Sequence, residues 1–130
     1  MKIVLEDETH IRLEVAGDGF AITADGVDIS PYHLLAASLA SCTALTVASW
    51  AGGAGIATEG LTISVSWEMV DDRPKRVAHI EQTLHWPALP ADRVTIANRV
   101  ANLCPIHATL NAGTRATSRV ERADSAGAPG

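Results

Sequence analysis

The chain has 130 residues, a formal net charge of −5, 47% apolar residues and only 4% aromatic residues. A single domain of this length buries on the order of two-thirds of its unfolded surface, so it does not need a disulfide framework. The negative charge and the lack of a Lys/Arg cluster argue against a nucleic-acid partner. The N-terminus turns acidic at Glu6 without an apolar signal segment, which predicts a cytoplasmic protein.

The first 24 residues are predicted to form a small antiparallel sheet. Apolar and β-branched segments fall at residues 2–5, 10–16 and 20–24. Between the last two segments, Ala16-Gly17-Asp18-Gly19 is typical of a hairpin turn. Strands therefore precede the main helix signal of the chain.

A long helix is predicted to begin at Pro31 and to end at Gly52-Gly53. Ser30 can cap the first turn, and proline suits the first helical position because the donor it lacks has no partner there. No residue between these ends carries a fixed charge. A helix of roughly 30 Å therefore has no face suited to solvent, and other elements or a second subunit must cover it.

The same charge-free run, residues 31–51, also has the usual length of a membrane span. Ser, Thr and Ala are abundant in it, however, and no positive charges flank it. A buried helix in a soluble oligomer explains this pattern better, so we expect no membrane association.

Two alternating segments after Gly60 predict a hairpin. The first, residues 61–69, alternates apolar and polar residues with period two, and the second covers residues 77–86. A turn at 71–74 joins them, and Pro87 and Pro90 end the second strand. One face of the first strand is predicted to be buried: Leu61, Ile63, Val65, Trp67 and Met69.

Two more helices and a strand are predicted in the last third of the chain. A helix opens at Pro90 and runs up to Cys104 with an apolar stripe: Val94, Ile96, Ala97, Val100, Ala101 and Leu103. Pro105 starts a short helix through about Leu110, so Cys104 is its N-cap. Residues 114–121 are predicted as a last strand. The chain is then a single domain, 1–121, with a tail, 122–130, that we expect to be disordered.

The two cysteines are the residues best suited to chemistry. Cys42 lies in the middle of the long helix and Cys104 at the start of a short one. Both could simply be small buried apolar residues, but a cytosolic pair that meets in space is more often redox-active. The helix start favours the thiolate of Cys104. Cys42 would need a positive neighbour or a hydrogen-bond donor from elsewhere.

A metal site is not expected. Cys104 and His107 have a ligand-like spacing, but no second tight pair accompanies them. A phosphate-binding glycine loop, a serine nucleophile elbow and a carboxylate pair are also missing from the sequence. We therefore expect neither a metal nor a bound cofactor.

Two motifs together resemble the OsmC/Ohr family of thiol-dependent peroxidases. The first is residues 30–44, which begin Ser30-Pro31-Tyr32 and contain Cys42, and the second is Cys104-Pro105-Ile106-His107. Their order and separation also fit, and the resemblance spans residues 1–121.

This resemblance implies an α+β fold with antiparallel sheets around a long central helix, in an intertwined homodimer. It implies that Cys42 attacks an organic hydroperoxide and that Cys104 closes a Cys42–Cys104 disulfide. An external dithiol would then regenerate the enzyme. The family order of attack differs from the local ranking above, in which Cys104 is the better thiolate, and we follow the family.

The sequence departs from the characterised peroxidases at two positions. Tyr32 stands where they have a glutamate, and the predicted hairpin lacks their arginine. Tyr32 lies about 80° around the helix from Cys42, so its hydroxyl could donate to a thiolate. Arg12, which carries a permanent charge, is the first candidate to activate Cys42, and His107 is a further one. Alternatively, Arg12 is a solvated strand residue.

The leading hypothesis is a cytoplasmic, peroxiredoxin-like organic hydroperoxide reductase with Cys42, Cys104, Arg12 and Tyr32 in its site. The alternative is a non-catalytic OsmC-like protein that binds a small apolar ligand or senses redox state through its cysteines.

Overall fold

A computed structural model of the chain describes residues 1–15, 18–23, 29–72 and 74–122. It confirms the predicted α+β class. A 3₁₀ turn at Ala91–Arg93 precedes the second helix. The helices and strands are β1 (Lys2–Leu5), β2 (His10–Val15), β3 (Asp18–Thr23), α1 (Pro31–Ala54), β4 (Thr62–Val70), β5 (Arg76–His85), α2 (Val94–Ala101) and α3 (Pro105–Ala112).

The N-terminal strands form the predicted antiparallel sheet in the order β1-β2-β3. Arg12 in β2 pairs with Val4 in β1, and Val15 pairs with Asp18 at the end of the β2–β3 ladder. Of the predicted hairpin turn, Ala16 and Gly17 lie outside the described residues.

Helix α1 begins where the sequence predicts and ends later. The Ser30 hydroxyl accepts a hydrogen bond from the His33 N–H, and the Ser30 N–H donates to His33 Nδ1, so the two residues cap the helix reciprocally. The predicted end at Gly52-Gly53 is wrong. Both glycines remain helical, and Gly55, with φ of 70°, supplies the left-handed residue that closes the helix.

Strands β4 and β5 form the predicted antiparallel hairpin, whose turn residue Arg73 lies outside the described residues. Leu61, Ile63, Val65 and Trp67 are half-buried, as their alternation indicates. Met69 is exposed, because a bulge between Glu68 and Met69 shifts the register of the last residues. The predicted burial of Met69 is therefore wrong.

The core of the chain lies on one side of α1. Helix α1 packs against α2, α3, β4 and β5. The indole N–H of Trp86 also ties the end of β5 to the loop after α1, with a 2.8 Å hydrogen bond to the Ala57 carbonyl. The buried residues of α1 follow helical spacing: Ala36, Leu39, Thr43, Val47 and Ala51.

The opposite side of α1 is open in a single copy of the chain. Leu45 is 73% exposed there. Strands β1–β3 pack on one another rather than on α1. Within the described residues, the β4–β5 sheet packs against the central helix as expected, and the β1–β3 sheet does not.

The last third of the chain differs from the prediction in two respects. Helix α2 ends at Ala101, because the residue before Pro105 must be extended and Cys104 cannot continue the helix. Val94, Ile96 and Leu103 of the predicted stripe are exposed. Residues 114–121 form no strand, since no described strand edge pairs with them. Of the predicted tail, residues 123–130 lie outside the described ranges.

By length and composition alone, α1 could cross a membrane, with a mean hydropathy of 1.6. Core helices of soluble proteins meet the same criterion, and part of this helix is buried against the rest of the chain. One such helix is weak evidence for a membrane span.

Candidate functional site

Cys104 is the N-cap of α3, as predicted, and its side chain is 0% exposed. Burial raises the pKa of its thiol, but the Cys42 thiol, the His107 N–H, the Thr43 hydroxyl and the Ile106 N–H all lower it by donating toward the sulfur. These donors prevail, and the pKa of Cys104 lies below its ordinary value of 9.0. The lowering that the helix start predicts is therefore confirmed in direction.

Cys42 lies on α1, near enough to Cys104 for its thiol to lower the pKa of Cys104. It is half-buried, and both cysteines are free thiols. Residues that are far apart in the sequence therefore meet at one point, where α1 crosses the start of α3. A pair of thiols in contact, of which one is ionised easily, is suited to forming a disulfide.

Thr43 and Gln82 complete the surroundings of the pair, and sequence reasoning missed both. Thr43 is 0% exposed, and Gln82 Nε2 donates to its hydroxyl oxygen at 2.8 Å. The sequence alone carried little signal for either residue, and their burial in the structure marks them. Thr43 is the polar member of the buried i, i+4 row on α1, and Gln82 occupies a half-buried position between Ile80 and Leu84 on β5.

The other amide atom of Gln82 is unusual. Its Oε1 is buried and finds no hydrogen-bond partner among the described residues. Buried acceptors are normally paired, because desolvating one without a partner costs about 1–3 kcal/mol.

Two cavities of mixed polarity lie beside strand β5. One of about 230 Å³ lies between α1, β5 and α3 and is lined by residues that include Leu35, Leu39, Ile80, His107 and Leu110. The other, of about 260 Å³, lies between β5 and α2 and is lined by residues that include Gln82, Leu84, Trp86, Ala97 and Ala101. Both are smaller than typical ligand pockets of about 300–1,000 Å³, so each would admit only a small molecule or part of one.

Comparison with known proteins identifies the arrangement. The sequence profile of the OsmC-like proteins matches residues 24–119, which is well over half of the chain. The chain belongs to the OsmC-like protein family. Its long cysteine helix, its hairpin and its Cys-Pro helix start all lie inside the matched region, so the family resemblance read from the two motifs is confirmed.

Solved structures share the fold of this OsmC-like chain. A Psychrobacter arcticus protein assigned to osmotic stress induction and detoxification response is 24% identical, with a TM-score of 0.73 over 83% of this chain and 85% of that one. An OsmC-like protein from Mycoplasma pneumoniae is 18% identical, with a TM-score of 0.71 over 85% and 84%. An Aquifex aeolicus protein is 16% identical, with a TM-score of 0.73 over 87% and 86%. No curated protein sequence matches the chain.

Arg12 does not join the cysteines within one copy of this OsmC-like chain. Its guanidinium forms ion pairs at 3.2 Å with Glu6 and Glu14, inside the N-terminal sheet. Tyr32 is 40% exposed in the first turn of α1. The structure thus brings together Cys42 and Cys104, and places the other two predicted site residues elsewhere on the chain.

The two histidines near the motifs have partners of their own. His33 caps α1 and stacks edge-on against Trp67, with ring centroids 4.9 Å apart. The His107 ring contacts the side-chain amide of Asn111 at 3.2 Å. In the described ranges, no group of three or more His, Cys, Asp or Glu side chains could hold a metal ion.

Proposed function

We propose that this OsmC-like protein is a thiol-dependent peroxidase that reduces organic hydroperoxides. One observation carries the proposal: the half-buried Cys42 of α1 lies close enough to the fully buried Cys104 for its thiol to lower the pKa of Cys104. Two findings support it. The chain belongs to the OsmC-like family, whose motifs here resemble those of thiol peroxidases, and it shares its fold with a protein assigned to detoxification response.

The reaction proceeds in two displacements and a reduction. The Cys42 thiolate attacks the outer oxygen of ROOH, the O–O bond breaks, and the alkoxide leaves as ROH after taking a proton, which gives a sulfenic acid on Cys42. The Cys104 thiolate then attacks the Cys42 sulfur, the S–O bond breaks, and hydroxide leaves as water after taking a proton. An external dithiol reduces the Cys42–Cys104 disulfide by exchange.

The assignment of roles follows the family resemblance and the exposure of the two thiols. Cys42 is half-buried and can be reached by a substrate, whereas Cys104 is 0% exposed. The lowered pKa of Cys104 keeps a larger share of it as thiolate at neutral pH, which suits the sulfur that must attack a sulfenic acid. No protein-bound cofactor takes part in this scheme.

The substrates that we propose are lipid-like or aryl hydroperoxides rather than H₂O₂. The cavity between α1, β5 and α3 is lined by Leu, Ile, Val and Ala side chains together with His79, His107 and Asn111. Such surfaces favour an apolar R group, and a small polar peroxide gains little there.

The working form that we propose is a cytoplasmic, intertwined homodimer without a nucleic-acid or membrane partner. Helix α1 is uncharged and its Leu45 is 73% exposed, and a second copy of α1 would bury this apolar face. Arg12 and Tyr32 would then act on Cys42 only if the partner subunit brings them close. Light scattering at micromolar concentration should give twice 13.6 kDa. A monomer would contradict the dimer.

Peroxide consumption tests the enzyme. Purified protein with a dithiol should turn over cumene hydroperoxide, and Cys42→Ser should abolish turnover because the attacking sulfur is lost. Without the dithiol, Cys104→Ser should consume about one equivalent and stop at the sulfenic acid, which a dimedone probe would label on Cys42. Ser41→Ala, an exposed neighbour on α1, is the matched control and should retain activity.

The alternative, a non-catalytic protein that binds a small apolar ligand or senses redox state, is favoured by the two cavities. It would prevail if no dithiol supports turnover. The measurement is then the displacement of a bound apolar fluorescent probe by a ligand. This displacement should be the same in wild type and in Cys42→Ser.

A further inference from the structure

The cap of α1 joins the N-cap residue Ser30 to the side chain of His33, the third residue of the helix. The Ser30 N–H donates to His33 Nδ1 at 3.2 Å, and the Ser30 hydroxyl lies 2.8 Å from the same nitrogen. In return, the Ser30 oxygen accepts from the His33 N–H at 3.3 Å. The third position of such a capping box normally holds a glutamate or a glutamine, neither of which becomes positively charged. Histidine does.

The contacts of Ser30 fix the state of the His33 ring in the capped helix. A backbone N–H can only donate, so Nδ1 carries a lone pair and the ring is neutral, with its proton on Nε2. A protonated imidazole has an N–H at both nitrogens and no acceptor. It can still donate to the Ser30 hydroxyl oxygen. The bond that protonation removes is therefore the one from the Ser30 N–H.

We propose that His33 makes the cap of α1 sensitive to pH, because protonation of its ring in mildly acidic solution releases the first turn of the helix. Two observations support this beyond the lost bond. Ser30 is only 4% exposed, so water does not readily replace the acceptor that its N–H loses. The ring also stands in the first turn, where the positive end of the helix dipole disfavours a further positive charge.

The other charges near this end of α1 lie mainly on the elements packed against the helix. The first turn has no acidic residue, and no described residue forms an ion pair with His33. Asp25 and Asp28, shortly before the helix, lie outside the described residues. Tyr32 and Cys42 are the other titratable residues of α1. Those on β4, β5, α2 and α3, with the charged arginines, are Glu68, Arg76, His79, Glu81, His85, Arg99 and the half-buried His107.

The contact of His33 with Trp67 acts in the opposite direction. The two rings stand edge-on, with centroids 4.9 Å apart and planes at 81°. A cation beside an indole is stabilised, but only weakly where the cation is exposed, as His33 is. We expect the lost bond and the helix dipole together to outweigh this contact. Trp67→Leu, made in both proteins compared below, should therefore enlarge the effect of acid.

The experiment compares wild type with His33→Gln from about pH 8 to about pH 5, the range in which histidine usually changes charge. Glutamine accepts the Ser30 N–H at this position and does not titrate. Urea denaturation of the full-length, reduced proteins at one concentration gives the ratio of folded to unfolded protein. Towards acid, this ratio should fall about fivefold in wild type relative to His33→Gln, because a helix cap contributes about that much. His33→Ala, which has no acceptor at any pH, should also lack the wild-type pH dependence.

Hydrogen exchange locates the effect in the chain. The Leu34 N–H donates to the Ser30 carbonyl at 3.2 Å, which is the first backbone bond of α1. After correction for the intrinsic exchange rate, its protection should fall in acid in wild type and persist in His33→Gln. Amides of the β4–β5 hairpin should keep their protection in both proteins.

His79→Gln is the matched control, since it makes the same substitution at an exposed histidine of β5. It should leave the wild-type pH dependence unchanged. The other titrating groups are common to wild type and His33→Gln, so they cancel in the comparison. Asp28→Asn in both proteins should also leave the difference unchanged. A difference that disappears with Asp28→Asn would assign the pH dependence to that carboxylate and overturn the proposal.

A wild-type stability that follows His33→Gln across the whole range would likewise overturn the proposal. So would a wild type that gains stability in acid relative to His33→Gln, because the Trp67 contact would then prevail over the cap. An acid loss confined to proteins with His33, with lost protection at Leu34, would support it. Neither measurement involves peroxide, so both outcomes are independent of the proposed function.

Discussion

The two sheets of this OsmC-like chain are held in different ways. Strands β4 and β5 lie against α1, where Leu39 and Val47 are buried, and hydrogen bonds from residues far along the chain reach the helix and the loop after it. No residue of β1 or β2 is buried. Their contacts beyond the strand ladder are largely ion pairs such as those of Arg12 with Glu6 and Glu14.

The cysteine pair therefore lies apart from strands β1–β3, the part of the chain that packs least against the rest. Exposed ion pairs contribute about 0–1 kcal/mol, whereas fully burying one leucine contributes roughly 1.5–3 kcal/mol. The cysteine pair therefore belongs to the half of the molecule that packing makes rigid. The N-terminal sheet makes few contacts with the rest of a single copy of the chain.

A pair of identical truncations would test this contrast most strongly. Leu39→Ala, at a position 3% exposed on α1, should lower the free energy of unfolding by about 2–5 kcal/mol, because it leaves a cavity in the core. Leu5→Ala, at a position 73% exposed on β1, should change it by about 0.5 kcal/mol or less. Urea denaturation of the reduced protein measures both.

Equal losses in the two variants would contradict the contrast. They would mean that Leu5 is buried in solution. If the loss of unfolding free energy depended on protein concentration, Leu5 would be buried by a second copy of the chain.

The features predicted correctly from the sequence are those that local chemistry decides. The start of α1 follows from Ser30 and Pro31, and the position of Cys104 follows from Pro105. The end of α1 was wrong because three nearby glycines could each close the helix, and only tertiary structure selects Gly55. The strand predicted at 114–121 was wrong because a strand requires a partner, which no local pattern supplies.

The pH dependence of stability should distinguish the cysteine half of the chain in a second way. The folded pKa of Cys104 is lowered, so between that value and the ordinary 9.0 the unfolded state binds more protons than the folded state. The stability of the reduced protein relative to Cys104→Ser should therefore rise with pH through this window and stay high above it. Each unit of lowering is worth about 1.4 kcal/mol.

Thermal unfolding of reduced wild type and Cys104→Ser over a series of pH values measures this difference. A difference that falls as pH rises would contradict the lowered pKa. Asp7, whose pKa is lowered to about 2 by the Thr9 N–H and by His10, titrates in both proteins and far below this window, so it cancels.

The smallest expected effect belongs to Arg12. Arg12→Ala removes two ion pairs whose groups are partly exposed, so the free energy of unfolding should fall by about 1 kcal/mol or less. If the partner subunit brings Arg12 to Cys42, the same variant should slow Cys42 alkylation at neutral pH about tenfold, because a nearby cation favours the thiolate. The measurement is iodoacetamide labelling with Cys104→Ser in both proteins.

Lys2→Ala, which breaks the ion pair of Lys2 with Glu14 at 3.8 Å, is the control and should leave alkylation unchanged. Equal alkylation rates for wild type and Arg12→Ala would remove Arg12 from the mechanism and leave it as a strand residue held by two carboxylates.

The candidate site was predicted in part. The two cysteines could be found because their residue type and their places on helices indicate chemistry. Thr43 and Gln82 could not be ranked, because a threonine in an apolar helix and a glutamine in a strand are common, and only the crossing of β5 with α1 shows that they touch. The ion pairs of Arg12 with Glu6 and Glu14 could not be predicted either, because they depend on where the side chains lie around the β1–β2 connection.

The placement of the three tryptophans decides which part of the molecule fluorescence can observe. Trp50 at the end of α1 stands edge-on to Trp86 after β5, with ring centroids 6.1 Å apart, and Trp67 lies against His33 from β4. All three therefore report on the contact between α1 and the β4–β5 hairpin. None lies before residue 50, so an unfolding curve followed by tryptophan emission records the loss of this contact and is blind to the melting of β1–β3.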